Sequence, residues 1–148
     1  AILVLIGIGE LESKIRNLVN QSEIQNNVIF LGQRNDVREL YNTFDVFLLP
    51  SLYEGLPVVG VEAQANGLPC LFSDTISDEV IILPDTKVLK LSDSVQIWAE
   101  TIIELVNKKT VNRAKAIDVI NAAGYNIEVE AEKLREYYFK EVAERKRK

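Results

Sequence analysis

The chain has no histidine and no methionine, a single cysteine and only four prolines among 148 residues. Without histidine it holds no Ser-His-Asp or Cys-His nucleophile system, no His-x-x-x-His zinc site and no imidazole proton shuttle of its own. Cys70 alone cannot build an internal disulfide framework, which fits a reducing, cytoplasmic setting. The opening apolar run, Ala1–Ile6, is too short to span a bilayer and has no basic region before it, so it reads as neither signal peptide nor transmembrane helix. A chain that lacks methionine and starts inside an apolar run reads as an internal or C-terminal piece of a larger protein. Cationic excess is lacking as well: 22 acids against 17 bases give a net charge of −5. A duplex-DNA binder shows the opposite balance, so no nucleic-acid partner is expected. What is present is ordinary for a soluble globular domain, 47% apolar and 26% charged residues. A domain of this size buries roughly two-thirds of its unfolded surface and needs no covalent staple.

Short apolar runs alternate with amphipathic stretches. Strands are expected at Ala1–Ile6, Val28–Leu31, Asp45–Leu49, Pro69–Phe72 and Val88–Leu91. Between them, Glu10–Ser22 reads as a helix with Leu11, Ile15, Leu18 and Val19 on one face. A short helix follows Asp36, a candidate N-cap, with Val37, Leu40 and Tyr41 inward. Another helix runs from Leu56 to Ala65, opened by Pro57 and stopped by Gly67. Helices are expected over Ser94–Asn107, Asn112–Ala123 (stopped by Gly124) and Glu128–Lys148, the last with Leu134, Tyr138 and Val142 spaced by four. Strands separated by such helices predict an α/β fold, a Rossmann-like parallel sheet with helices on both faces. Ligands of such sheets bind at the carboxyl ends of the strands, which singles out the loops Gly7–Glu10, Gly32–Asp36, Pro50–Pro57 and Ser73–Asp78.

Gly7-Ile8-Gly9 imitates the start of a dinucleotide fingerprint, but Glu12 stands where the third glycine belongs. A tight strand-to-helix turn is the favoured reading. The segment Pro50–Pro69, PSLYEGLPVVGVEAQANGLP, carries more. Glu54 lies in a loop just before a helix, and Glu62 lies more than one turn into it. Backbone amides of Gly55, Leu56 and Val58 at the helix start form an anion site. A carboxylate at Glu62 suits sugar hydroxyls such as those of a ribose. Taken alone, Glu54 is an acid stabilised by the helix macrodipole and Glu62 a solvated helix position. The neighbours of Glu62 are apolar, however (Val58, Val59, Val61, Ala63, Ala65), and an acid in such a helix is costly without a partner.

These residues resemble the donor-binding signature of retaining glycosyltransferase family 4. Glu54, Glu62, Gly67 and Pro69 match its Glu, seven residues, Glu, then Gly-x-Pro pattern. The surrounding order is similar too: Leu5–Glu10, Val28–Gly32 and Asp45–Ser51. The likeness covers about residues 1–106 well and extends loosely beyond. The variant Ser-Leu-Tyr-Glu-Gly-Leu-Pro, with Ser-Asp-Thr-Ile after the fourth strand, is similar to bacterial enzymes of capsule and exopolysaccharide assembly. The resemblance implies the C-terminal, donor-binding half of a GT-B fold over residues 1–148, with C-terminal helices from about 94. It implies that the parent enzyme moves a sugar from a uridine-based nucleoside diphosphate donor to a saccharide or lipid-linked acceptor, with retention. Glu62 would bind the donor ribose, Glu54 would lie by the donor sugar as the catalytic candidate, and Gly55, Leu56 and Val58 would offer amides to the diphosphate or sugar. Gln33 and Arg34 would border the base, and Ser51 would shape the pocket. For Arg34 a solvated loop cation is an equal alternative; for Tyr53, packing beside a strand end is the commoner fate.

Departures from the family matter as much. Its acceptor-binding N-terminal domain and the first strand–helix unit of its donor domain are absent from this sequence, and with them a basic pair that faces the diphosphate. Lys14 and Arg16 fall in a helix, where solvated positions are their default. The piece alone is therefore expected to bind donor weakly and not to catalyse transfer. No cofactor or metal is expected: Asp74, Asp78, Glu79 and Asp85 match no calcium loop and read as a solvated acidic loop. Cys70 reads as a small core residue. Lys140 and Arg145–Lys148 make the last helix basic at its end; this complements the helix dipole, the alternative being peripheral contact with an anionic inner membrane face. Two rival readings remain, a sugar-nucleotide epimerase of the same fold and a non-catalytic, receiver-like α/β module. The third strand ends in Pro50-Ser51 rather than a phosphorylatable aspartate, which argues against the second.

Overall fold

Five of the apolar runs become parallel strands, each followed by a turn or a helix, in a computed structural model that describes residues 1–108 and 113–145. The chain divides into two compact units, Ala1–Leu40 and Tyr41–Lys148.

The first unit holds β1 (Leu3–Ile6), α1 (Glu12–Gln21) and β2 (Val28–Gly32). β1 and β2 pair in parallel with Leu3 opposite Val28, and the register slips between Leu5 and Ile6. The Gly7 N–H then donates to the Gly32 carbonyl at 2.8 Å, so the two carboxyl ends stay joined past the strands. α1 starts two residues later than Glu10, with Leu11 as its N-cap. Its expected inward face is only partly covered: Val19 is buried, whereas Leu11, Ile15 and Leu18 are exposed. Arg16 is not simply solvated; it pairs with Glu12 at 2.8 Å and lies 4.1 Å over the Phe30 ring. The helix Val37–Tyr41 (α2) follows Asp36.

The second unit contains β3 (Phe47–Leu49), α3 (Val58–Ala65), β4 (Cys70–Ser73), β5 (Lys87–Leu89), α4 (Val95–Asn107), α5 (Arg113–Ile120) and α6 (Ile127–Arg145). Its sheet runs β3-β4-β5, all parallel. The expected sheet is thus present as two hydrogen-bonded sheets, one of two strands and one of three. β4 is central and buried at all four positions, which is why it reads apolar without alternation. Cys70 belongs to this core, and burial pushes its thiol pKa up.

α3 sits against β3, β4 and α5. A Cβ on Gly60 would lie 2.9 Å from Val80 Cγ2 and 3.1 Å from Phe72 Cζ, so only glycine lets the helix approach β4 this closely. α3 ends in a Schellman motif: Leu68 N–H reaches the Ala63 carbonyl at 3.0 Å, Gly67 N–H reaches Gln64 at 2.8 Å, and Gly67 takes φ 74°. α4 begins at Ser94, whose Oγ accepts the Ile97 N–H at 3.3 Å. After α5 a wide turn over Asn121–Tyr125 breaks at Gly124, φ 91°.

Three expectations in the C-terminal part need correction or fall outside the structure. α5 is described from Arg113, and Asn112 lies outside the described residues, as do residues 146–148 of the basic end. Leu134, Tyr138 and Val142 do not form a buried face on α6; all three are more than half exposed. Their spacing of four aligns them, but nothing within the described residues covers them. No helix among the described residues is long and apolar enough to cross a membrane.

Candidate functional site

The carboxyl end of β3 runs into the loop that bears Glu54 and leads to α3, which bears Glu62. Leu56 and Pro57 precede the helix instead of opening it: Pro57 is the N-cap, with extended backbone (φ −75°, ψ 104°). The first ladder bond is Gly60 N–H to the Pro57 carbonyl, 2.9 Å. The amides of Val58 and Val59 therefore stand ahead of the ladder at the exposed tip of α3, where the helix dipole favours an anion. Of the three amides expected there, Val58 is a helix-tip amide, whereas Gly55 and Leu56 belong to the approaching loop.

The loop is tied to the end of β4. Ser51 Oγ donates to Glu54 Oε1 at 3.1 Å. The Ser51 carbonyl accepts from Ser73 Oγ and from Thr75 Oγ1, each at 2.6 Å, and Thr75 Oγ1 also lies 3.1 Å from Ser73 Oγ. Glu54 pairs with Ile76 in an isolated parallel bridge. Glu54 is thus fixed by both its backbone and one carboxylate oxygen. Tyr53 is not packed beside the strand end; it and Leu52 are each 84% exposed, because the loop turns inward only at Ser51 and Glu54.

Glu62 faces Tyr41. The Tyr41 hydroxyl lies 3.3 Å from Glu62 Oε2 and 3.3 Å from the Val59 carbonyl. The Tyr41 ring is 3% exposed and meets Phe47 edge-on at 6.1 Å. Burial first, and the Glu62 charge second, push the phenol pKa up, so Tyr41 stays a protonated donor throughout the neutral range. The cost of an acid in an apolar helix is thus met by a partner that no motif announces. The signal was the tyrosine itself, since a buried Tyr hydroxyl needs a polar neighbour.

Gln64, two residues on, was also missed. It is fully buried, donates to the carbonyls of Gly60 (3.0 Å) and Val80 (2.6 Å), and accepts from Ile82 N–H, Leu83 N–H and Thr86 Oγ1. It clamps the segment after β4 to α3.

In the first unit, Gln33 and Arg34 line a shallow pocket with Asn35, Asp36 and Glu39. Arg34 is not a free loop cation. Its guanidinium grips both oxygens of Asp36, at 2.7 and 2.5 Å. The bond raises the Arg34 pKa and lowers that of Asp36. Among the acids after β4, Asp74 accepts the Leu91 N–H at 3.3 Å and Asp85 pairs with Lys108 at 2.7 Å. The described residues contain no group of three or more acids and thiols placed to hold a metal.

Comparison with known proteins gives these features a family context. The family model described as glycosyl transferases group 1 matches residues 1–123. The chain is similar to a putative glycosyltransferase, EpsF, of Bacillus subtilis, with 43% identity over 125 residues, covering 84% of this chain and 33% of the relative. It is also similar to the Escherichia coli UDP-Gal:alpha-D-GlcNAc-diphosphoundecaprenol alpha-1,3-galactosyltransferase, with 28% identity, covering 93% of this chain and 36% of that protein. Among solved structures, Anabaena Alr3699/HepE in complex with UDP-glucose superposes with a TM-score of 0.75 at 19% identity, over 94% of this chain and 41% of that one. That likeness concerns the fold. The chain thus spans 33% and 36% of the length of these two curated relatives.

Proposed function

The chain belongs to the group 1 glycosyl transferases, and we propose that it is the donor-binding part of a retaining enzyme that moves a sugar from UDP to a saccharide or lipid-linked acceptor in polysaccharide synthesis. The observation that carries this reading is the layout of the loop and α3: Glu54 held by Ser51, the free amides of Val58 and Val59, and Glu62 one turn further along the helix, half-buried and held by Tyr41. Nucleotide-sugar donors carry two phosphates between a ribose and a sugar. The helix tip suits the phosphates, Glu62 suits the ribose diol, and Glu54 suits the sugar. The names of the E. coli relative and of the Anabaena complex support uridine as the base.

In this proposal the bond from the anomeric carbon to the diphosphate oxygen breaks as the acceptor oxygen bonds that carbon, and the acceptor proton passes to the departing diphosphate. Negative charge builds on the leaving phosphate, and the amides of Val58 and Val59 stabilise it without reorganising. Glu54 lies where positive charge develops on the sugar. The family resemblance assigns Gln33 and Arg34 to the base; within the first unit Arg34 is held by Asp36. This reading invokes no bound metal; Asp74 accepts from the Leu91 amide and Asp85 pairs with Lys108. The acceptor is held by residues outside this chain, and this piece alone does not catalyse transfer.

The test is titration of UDP, GDP and ADP into the full-length parent protein and its Glu62→Ala variant, followed by NMR of backbone amides. The proposal expects UDP to shift Gly55–Val59 and Gln33, with weaker binding in the variant. Absence of all nucleotide binding at millimolar concentration, or equal binding by both proteins, would overturn it.

A further inference from the structure

We propose that Tyr41 is a positioning residue for the nucleotide ribose: by holding Glu62 through Oε2 it presents Oε1 to the vicinal hydroxyls. The inference rests on the donor-binding reading above, and deepens it.

The geometry begins with what fixes Tyr41. It ends α2, its ring is 3% exposed, and the edge contact with Phe47 continues to Phe72 of β4, whose ring centroid is 6.4 Å from that of Phe47. The phenol is therefore carried by the core and not by a surface loop. Its hydroxyl has one proton and two acceptors at equal distance, the Val59 carbonyl and Glu62 Oε2. The carbonyl is neutral, whereas the carboxylate is charged, and a charge-assisted bond is roughly twice as strong as a neutral one. The proton accordingly belongs on the Glu62 side.

The other oxygen is free for a ligand. Among the described residues no hydrogen bond reaches Glu62 Oε1. No side-chain polar atom among them is both buried and unpartnered, so Oε1 reaches solvent. A glutamate has three side-chain torsions. On an exposed helix it samples several rotamers, and a ligand that needs one of them must pay for the rest in entropy. Anchoring one oxygen to a core phenol removes that freedom before the ligand arrives. A ribose offers two adjacent hydroxyls, and a carboxylate oxygen aimed outward accepts from them.

The test uses the full-length parent protein and two probes, UDP and 2′,3′-dideoxy-UDP, which differ only in the ribose hydroxyls. Wild type should prefer UDP. Glu62→Gln should lose most of that preference. Tyr41→Phe keeps the ring in its packing and removes only the hydroxyl; it should bind UDP roughly three- to tenfold more weakly while binding the dideoxy probe as wild type does. A merely structural role would weaken both probes alike and would overturn the assignment. Retained preference in Tyr41→Phe, with preference lost in Glu62→Gln, would overturn the role of Tyr41 while leaving ribose binding at Glu62 intact. Full preference in both variants, or no binding of either probe by wild type, would overturn the donor-binding reading and this inference with it.

Discussion

Replacing Gln64 by leucine should release the segment after β4 while leaving the packing volume nearly unchanged. Gln64 satisfies five polar groups. Two can manage without it: the Gly60 carbonyl has its helical partner, and the Thr86 hydroxyl can rotate. The Ile82 amide is only part-buried and can turn to water, whereas the Val80 carbonyl and the Leu83 amide cannot. Val80 and Leu83 are 1% and 4% exposed, so their orphaned groups find no water. Each buried unsatisfied group costs about 1–3 kcal/mol, and two give about 2–6 kcal/mol. Removing the buried carboxamide returns part of this, leaving a net loss of about 2–4 kcal/mol. Native-state hydrogen exchange reads the effect locally, which matters in a chain with two units. Exchange of the Leu83 amide should accelerate roughly 30- to 1,000-fold, at 1.36 kcal/mol per tenfold. Gln64→Glu should also destabilise at neutral pH, because its carboxylate would face the Val80 carbonyl at the position of Nε2. Burial would raise the folded pKa of the new acid above its unfolded value, so that variant should regain stability as pH falls below the folded pKa. If Gln64→Leu leaves Leu83 exchange within threefold of wild type, the clamp carries no energy and the reasoning fails.

Three further outcomes follow from single contacts. Gly60→Ala places a Cβ at 2.9 Å from Val80 Cγ2 and 3.1 Å from Phe72 Cζ, and should cost about 1–3 kcal/mol in urea denaturation. An unchanged midpoint would mean that α3 shifts without penalty. Ser94→Ala removes the cap that receives the Ile97 amide and should cost about 1 kcal/mol, with the faster exchange confined to the first turn of α4. Cys70 is 1% exposed and burial raises its thiol pKa, so alkylation by iodoacetamide at pH 9 should wait for opening of the second unit. Reaction at the rate of a free thiol in the folded protein would contradict the buried assignment.

Strands and helices were legible because their apolar periods are strong: β4 is apolar throughout, and α4 keeps its face from Val95 to Val106. A helix end was legible where a residue has a unique mechanical role, as with Gly67 after α3. The start of α3 was misread by two residues, since Pro57 is tolerated both at the first helical position and just before it. Periodicity identifies a face but not its cover, which is why Leu11, Ile15 and Leu18 share one face of α1 yet stand exposed, as do the regularly spaced Leu134, Tyr138 and Val142 on α6. At the candidate site, Glu54 and Glu62 stood out by the apolar run around Glu62 and by the resemblance of their spacing to a family pattern. The bonds of the Tyr41 hydroxyl to Glu62, and of the Ser73 and Thr75 hydroxyls to the Ser51 carbonyl, were not legible, because each hydroxyl reaches its partner across the fold. Tyr41 is 21 residues from Glu62, and Thr75 is 24 from Ser51.

Glu62 and Gln64 show how the same helix separates scaffold from site. Both are polar in an apolar setting, so composition treats them alike. Gln64 is 0% exposed and every donor and acceptor it carries is spent within the chain. It has nothing left to offer a ligand, and its loss must appear as stability. Glu62 is half-buried, with one oxygen bonded to Tyr41 and the other open to solvent. Its unused capacity is where binding can occur, and its loss should appear as affinity. The two substitutions should therefore dissociate. Gln64→Leu should accelerate Leu83 exchange, whereas Glu62→Gln should leave it within threefold and remove the preference for UDP over its dideoxy form. If Glu62→Gln instead destabilised α3 as Gln64→Leu does, the Tyr41 contact would be a structural bond, and the open oxygen would no longer argue for a ligand.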